Sequence, residues 1–152
     1  MPGNMFYTRV SMAMPQAVFT ATGKLNARIY RLTRGRFLNR VGTAPVLLLT
    51  AIGRRSGEPR TVPVVYLADG ARQIVIGSNA GHARTPAWSH NLQANPNAEV
   101  QIRGKRQLVR ARVAAGEERE QLWRRMNEMY EGFDSYDANV DRDIAVFVLE
   151  PR

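Results

Sequence analysis

The chain has no cysteine, which excludes disulfides, thiolate nucleophiles and zinc–thiolate centres and suits a reducing cytoplasm. Histidine is nearly as scarce: His82 and His90 are the two, so no metal centre is expected. Long apolar runs are missing as well. The longest, residues 44 to 52, falls well short of the roughly 20 residues that a membrane-spanning helix needs. No Gly-x-Ser-x-Gly elbow surrounds a serine, which argues against a hydrolytic triad drawn from Ser78, His82 and His90. Gly53-Arg54-Arg55-Ser56-Gly57 has neither the spacing nor the lysine of a P-loop, and no dinucleotide fingerprint occurs. Internal repeats and low-complexity tracts are absent.

Acidic residues are missing from the first third. Residues 1 to 57 carry nine basic groups and no acidic one, whereas residues 58 to 152 carry 13 of each, so the net charge of +9 sits at one end. There Lys24, Arg28 and Arg31 follow helical spacing with Leu25, Ile29 and Leu32 on an adjoining face, which predicts a basic amphipathic helix over 24–37. Three readings stay open: a helix lying on an anionic membrane surface, a solvated helix packed on the domain, and, lowest, an organelle-targeting peptide. Arginine outnumbers lysine 20 to 2, a bias that codon usage alone can produce, so its abundance says little.

What is present reads as one globular domain of 152 residues, 44% hydrophobic and 23% charged. Residues 1–23, Met-rich and dotted with Gly and Pro, read as a mobile N-terminal arm, and 24–152 as a single domain. Apolar runs predict strands over 45–52, 60–67 and 72–78, the last two joined at Asp69-Gly70. Thr85 and Pro86 read as the N-cap and first position of a short helix over 87–92. Strands over 98–103 and 107–113, a helix over 117–129 with Leu122, Met126 and Met129 inward, and a strand over 144–149 complete the order. Residues 130–141 read as a polar aromatic loop or broken helix. The order suits a mainly β, α+β domain: a six-stranded antiparallel barrel with flanking helices.

The turn between the first two strands carries Arg54, Arg55 and Arg60. Three guanidiniums around one small turn repel one another, so a polyanion that neutralises them is a natural occupant. Gly53 and Gly57 are read as supplying positive φ, and Pro59 as fixing the exit. The plainer alternative is a solvated hairpin tip. Trp88, beside Ser89, His90 and Asn91, either forms an aromatic wall with hydrogen-bonding neighbours or anchors its helix to the core. Tyr130, Phe133 and Tyr136 recur every three residues and either line a planar ligand's pocket or close the end of the barrel.

The combination Gly-Arg-Arg-Ser-Gly-x-Pro-Arg (53–60) and Pro-x-Trp-x-x-Asn-Leu-x-x-Asn-Pro (86–96), with MYEGFDSY (129–136) and VFVLEP (146–151), resembles the deazaflavin-dependent nitroreductase family. The resemblance implies a split β-barrel of the FMN-binding type and binding of coenzyme F420, an 8-hydroxy-5-deazaflavin with a phosphate and oligoglutamate tail; FMN ranks behind it. By the same resemblance Arg54, Arg55, Ser56 and Arg60 hold the phosphate and nearby tail, and Gly57 and Thr61 are cofactor-binding residues as well. Val62, Pro63, Val64 and Val65, and Ile76, Gly77, Ser78 and Asn79, run along the deazaflavin. Ala87, Trp88, Ser89, His90 and Asn91 approach it from another side, and Phe133 also lines it. Ser78, Tyr130 and Tyr136 stand at substrate-side catalytic positions, where a hydroxyl can bond a developing oxyanion or relay a proton.

The implied activity is hydride transfer from reduced deazaflavin to a small electron-poor acceptor, namely a quinone, an enone or a nitroaromatic. Members that reduce nitroimidazoles have tyrosines where this chain has Val65 and Phe133, and a lysine where it has Asn79, which favours quinones or enones. The rivals are a non-catalytic flavin, deazaflavin or haem carrier and, lower, a nucleic-acid-binding barrel, since no exposed aromatics interleave with the arginines. The expected state is a monomer or dimer. The expected location is the cytoplasm, peripheral at the inner face of the plasma membrane if residues 24–37 meet lipid.

Overall fold

The computed structural model describes residues 16–79, 82–130, 133, 137 and 142–152. The chain runs α1 (Gln16–Leu32), β1 (Arg40–Val41), β2 (Ala44–Ile52), β3 (Pro59–Asp69), β4 (Arg72–Ile76), α2 (Ala87–Ala94), β5 (Asn97–Ile102), β6 (Lys105–Val113), α3 (Gly116–Met129) and β7 (Val146–Pro151). Strands β2, β3, β4, β7, β6 and β5 are neighbours in that order, and β2 pairs with β5, so six strands close on themselves. Every pairing is antiparallel. This is the barrel the strand patterns predict.

Alternation along the strands sorts side chains into layers. Leu47, Leu49, Val64, Val75, Val100, Val109, Phe147 and Leu149 fill the interior. On the outer face Ile74, Ile76, Val146 and Val148 pack against Leu122 and Met126 of α3. Val46 and Leu48 instead meet Ala27 and Tyr30 of α1. Strand β2 is therefore buried on both faces, which is why its sequence is a continuous apolar run and not an alternating one. Each such leucine contributes about 1.5–3 kcal/mol through burial.

The boundaries correct several expectations. Helix α1 begins at Gln16, inside the segment read as an arm, and ends at Leu32, not at residue 37; residues 1–15 lie outside the described residues. It stops because Arg34 adopts φ 52 and Gly35 φ 72, and Gly35 N–H returns to the Tyr30 carbonyl at 2.8 Å, a left-handed cap. A Cβ on Gly35 would lie 2.5 Å from the Arg103 Cα, so the glycine also permits close approach. Pro86, not Thr85, is the N-cap of α2, and it makes no side-chain cap bond. Strand β7 starts two residues later than predicted, with Ile144 buried ahead of it. The two-residue strand β1 is too short for periodicity to reveal.

Candidate functional site

Residues 53–58 link β2 to β3. Gly53 N–H donates to the Glu58 carbonyl at 2.8 Å, Gly57 N–H to the Gly53 carbonyl at 2.8 Å, and Glu58 N–H to the Ser56 hydroxyl at 3.2 Å. Gly57 supplies φ 72 as expected. Gly53 does not; a Cβ there would sit 2.6 Å from Ser56 Oγ, so it is needed for space. Arg54, Arg55 and Arg60 are exposed. Arg60 lies 3.8 Å from Glu58, a surface pair worth about 0–1 kcal/mol. Among the described residues no carboxylate pairs with Arg54 or Arg55.

The turn is exposed to solvent and also tied to a helix. Arg54 N–H donates to Asn91 Oδ1 at 3.0 Å, and Asn91 is buried at 5% exposure. Beside it Arg31 of α1 donates to Thr61 Oγ1 at 2.9 Å, and Thr61 Oγ1 bonds Thr50 Oγ1 at 2.8 Å. Arg31 thus brings a further cation to the start of β3. Helical spacing places Arg31 on a helix face and carries no signal for this reach across 30 positions. Val62 and Val64 point into the barrel, while Val65 packs outward between the α1 and α3 layers; Pro63 is half-buried.

The second group lies at the end of β4 and just past it. Ile76, Gly77 and Ser78 are buried, and Asn79 adopts φ 48 with its amide donating to the Arg84 carbonyl at 2.9 Å. Arg142 grips this loop: its guanidinium donates to the carbonyls of Gly77 at 3.0 Å, Ser78 at 3.0 Å and His82 at 3.4 Å. Burial makes that guanidinium less basic than usual. Arg142 carries no sequence signal, since it follows a polar stretch without periodicity. A Cβ on Gly77 would lie 3.3 Å from Ser89 Oγ, and Ser89 is fully buried with a hydroxyl that has no partner among the described residues. Helix α2 therefore joins the two groups, touching Gly77 through Ser89 and holding Arg54 through Asn91.

Trp88 is half-buried and packs on Phe147 at 5.6 Å and 55°, which makes it an anchor of α2 in the barrel mouth; Ala87 and His90 are exposed. Tyr130 and Phe133 are 2% and 3% exposed, 5.4 Å apart and near perpendicular. They belong to the layer that includes Ile76 and Val65, so they reach the expected wall as core side chains, not as an open aromatic lining. The signal was present: Leu122, Met126 and Tyr130 recur every four residues, and Tyr130 N–H still bonds the Met126 carbonyl at 2.8 Å. Tyr136 lies outside the described residues. Among those residues no cluster of metal-ligating groups occurs.

Six antiparallel strands that close on themselves, with flanking helices, define a split-barrel protein. Residues 21–151 match the family described as F420H(2)-dependent quinone reductase, and the chain belongs to that family. It is 35% identical over 133 residues to an F420H(2)-dependent quinone reductase of Mycobacterium tuberculosis, covering 85% of this chain and 89% of the relative. A second protein of that organism, assigned the same activity, is 41% identical over 108 residues, covering 71% and 91%. Among solved structures, the F420-H2 dependent reductase FDR-A matches with a TM-score of 0.65 at 34% identity, over 70% of this chain and 94% of that one. A domain-swapped dimer matches with a TM-score of 0.67 at 32% identity, over 84% and 95%. The haem storage protein HutZ of Vibrio cholerae, at 15% identity and a TM-score of 0.53 over 70% and 81%, shares the fold alone.

Proposed function

We propose that this chain transfers a hydride from reduced coenzyme F420 to a small electron-poor acceptor, with quinones and enones ahead of nitroaromatics. The observation that carries the reading is the pair Arg54 and Arg55, uncompensated among the described residues, on a turn pinned to buried Asn91. The residues present fit such a cofactor. Exposed guanidiniums suit its phosphate and carboxylate tail, and the unpartnered Ser89 hydroxyl offers a polar contact at the junction of α2 and Gly77.

When bound, the deazaflavin supplies the hydride from its C5 position. The chain's own share is binding, alignment and water exclusion. Arg54, Arg55 and Arg60, with Ser56, Gly57 and Thr61, hold the anionic tail. The backbone of 62–65 and 76–79 lines the ring, and residues 87–91 close the other side. Ser78 is the remaining substrate-side hydroxyl with a described place, beside the loop that Arg142 fixes, and it can donate to a developing oxyanion. Tyr130 serves as wall in this packing, so a proton role for it needs its ring to leave the core. Val65 and Phe133 keep the acceptor side apolar, as a quinone ring requires.

Titrating the protein with reduced and oxidised F420, FMN and a short oligonucleotide, following fluorescence and anisotropy, tests this reading. F420 fluorescence that does not change at protein excess would overturn it. Binding without turnover of any quinone, enone or nitroaromatic would leave the carrier alternative.

The exposed side chains Leu25, Leu32, Phe37 and Leu38, at 57%, 85%, 65% and 42% exposure, stand among exposed Lys24, Arg28, Arg31, Arg34, Arg36 and Arg40. This supports α1 and the loop after it as a contact for anionic membranes, where apolar side chains enter the headgroup region and cations meet lipid charge. No helix among the described residues is long and apolar enough to cross a membrane. Pelleting with anionic vesicles should fall sharply in a Leu32→Asp, Phe37→Asp variant; equal pelleting would remove this contact.

A further inference from the structure

We propose that the barrel end opposite the arginine turn is a second anion site, which takes a single phosphate-type oxyanion. A cavity of about 90 Å³ lies there, lined by Tyr30, Asn39, Arg40, Tyr66 and Arg103 together with apolar neighbours. It adjoins Pro45 and Val46 at the start of β2, whereas the arginine turn follows Ile52 at its end. Six residues of strand, about 20 Å, separate the two. The inference stands whether or not the chain binds a deazaflavin.

The polar chemistry of this cavity is almost wholly that of donors. No carboxylate lines it. The Tyr30 hydroxyl accepts Arg103 N–H at 2.7 Å, which leaves its own O–H free to donate. Arg40 spends one N–H on the Thr43 carbonyl at 2.9 Å and keeps the rest. Among the described residues no acceptor meets the Arg103 guanidinium or the Tyr66 hydroxyl. Burial pushes both phenols above their usual range, so each stays protonated, and donating, at neutral pH. Arg40 and Arg103 are exposed to water, and with two phenols and an amide they gather positive charge and donors that charge-assisted bonds to one oxyanion can use together. A cavity of about 90 Å³ has room for more than one water and hence for a tetrahedral oxyanion.

The walls are set in advance. Arg103 is held at φ 56 while its N–H bonds Tyr30, and Gly35 packs against its Cα. Asn39 and Arg40 follow directly on exposed Phe37 and Leu38. The phosphate can therefore come from solution, as inorganic phosphate or a small ester, or from a lipid headgroup at a membrane on which those two side chains rest.

The test uses the full chain with Arg54→Gln, Arg55→Gln and Arg60→Gln, which removes all three guanidiniums of the arginine turn. Calorimetric titration with inorganic phosphate should give one saturable site. Arg103→Gln in that background should weaken it about tenfold or more, as loss of a charge-assisted bond does, and Tyr66→Phe about three- to tenfold. Phosphate should also raise the alkaline midpoint of the phenol absorbance, and Tyr66→Phe should reduce that rise. Tyr66→Phe keeps the ring in place, so it reports even if the arginine variant folds poorly. No saturable binding, or binding unchanged by both substitutions, overturns the site. A vesicle arm with phosphatidic acid identifies the source: displacement by free phosphate indicates a headgroup, and indifference to it indicates a soluble phosphate.

Discussion

Asn91 and Arg54, 37 positions apart, are joined by one hydrogen bond from the Arg54 N–H to the Asn91 side-chain oxygen at 3.0 Å. Through it the short helix α2 sets where the arginine turn stands over the mouth of the barrel. Asn91→Ala leaves the turn's own bonds intact and removes this tie. We expect about 1 kcal/mol of stability to be lost, with a larger loss in F420 affinity than in stability. Chemical denaturation and fluorescence titration on one preparation measure both; unchanged affinity would mean that the turn needs no anchor.

Arg142 makes the same kind of tie on the other side. Its planar fork reaches the carbonyls of Gly77, Ser78 and His82, which a lysine ammonium cannot reproduce. Arg142→Lys should lower kcat by a larger factor than it weakens F420 binding, because the loop bearing Ser78 loosens while the arginine turn is untouched. A pure rise in the cofactor Kd with normal kcat would contradict this division.

Gly35 and Gly57 share φ 72 and differ in space. Nothing lies within 4 Å of a Cβ on Gly57, so Gly57→Ala should cost about 1 kcal/mol, the strain of a left-handed alanine. A Cβ on Gly35 meets the Arg103 Cα at 2.5 Å, so Gly35→Ala should cost clearly more and disturb the Tyr30 contact. Equal shifts in Tm for the two variants would refute the steric argument.

Stability should form a plateau bounded on both sides by titration. Hydrogen bonds from Arg72 and Arg125 hold the Asp69 carboxyl below the usual range, and Arg112 does so for Glu118. Their contribution is present above the unfolded values of about 4 and is lost as pH falls through the lower folded ones. Tyr30 and Tyr66 are raised by burial, so their contribution is present below about pH 10 and is lost as pH rises through the folded values. Asp69→Asn should flatten the acid limb and Tyr66→Phe the alkaline one in denaturation measured across pH.

Much of the barrel is legible in residues such as Val46 to Leu49 and Phe147 to Leu149, because sheet burial writes itself as apolar runs and alternation. The ends of elements are less so. Gly35 stops α1 through a left-handed cap that periodicity does not register, and the apolar pattern around Ile29 and Leu32 invites an extension past it. At the site, Arg54 and Arg55 are readable because unpaired charge on a turn asks for a ligand. Arg31 and Arg142 are not, since each acts through a tertiary reach to backbone or hydroxyl groups far off in sequence. Tyr130 stands between two readings of aromatics in a polar stretch, pocket lining and closure of the barrel end; the four-residue stripe of α3 carries it into the core.

Helix α1 is fastened to the barrel chiefly by Ala27 and Tyr30, whereas each barrel strand is paired on both sides. In hydrogen exchange, the amides of α1 should open as a separate, low-cost unit, while those of the barrel exchange only when the six strands part together. The basic helix can thus detach and re-seat without any loss of the sheet that carries the arginine turn.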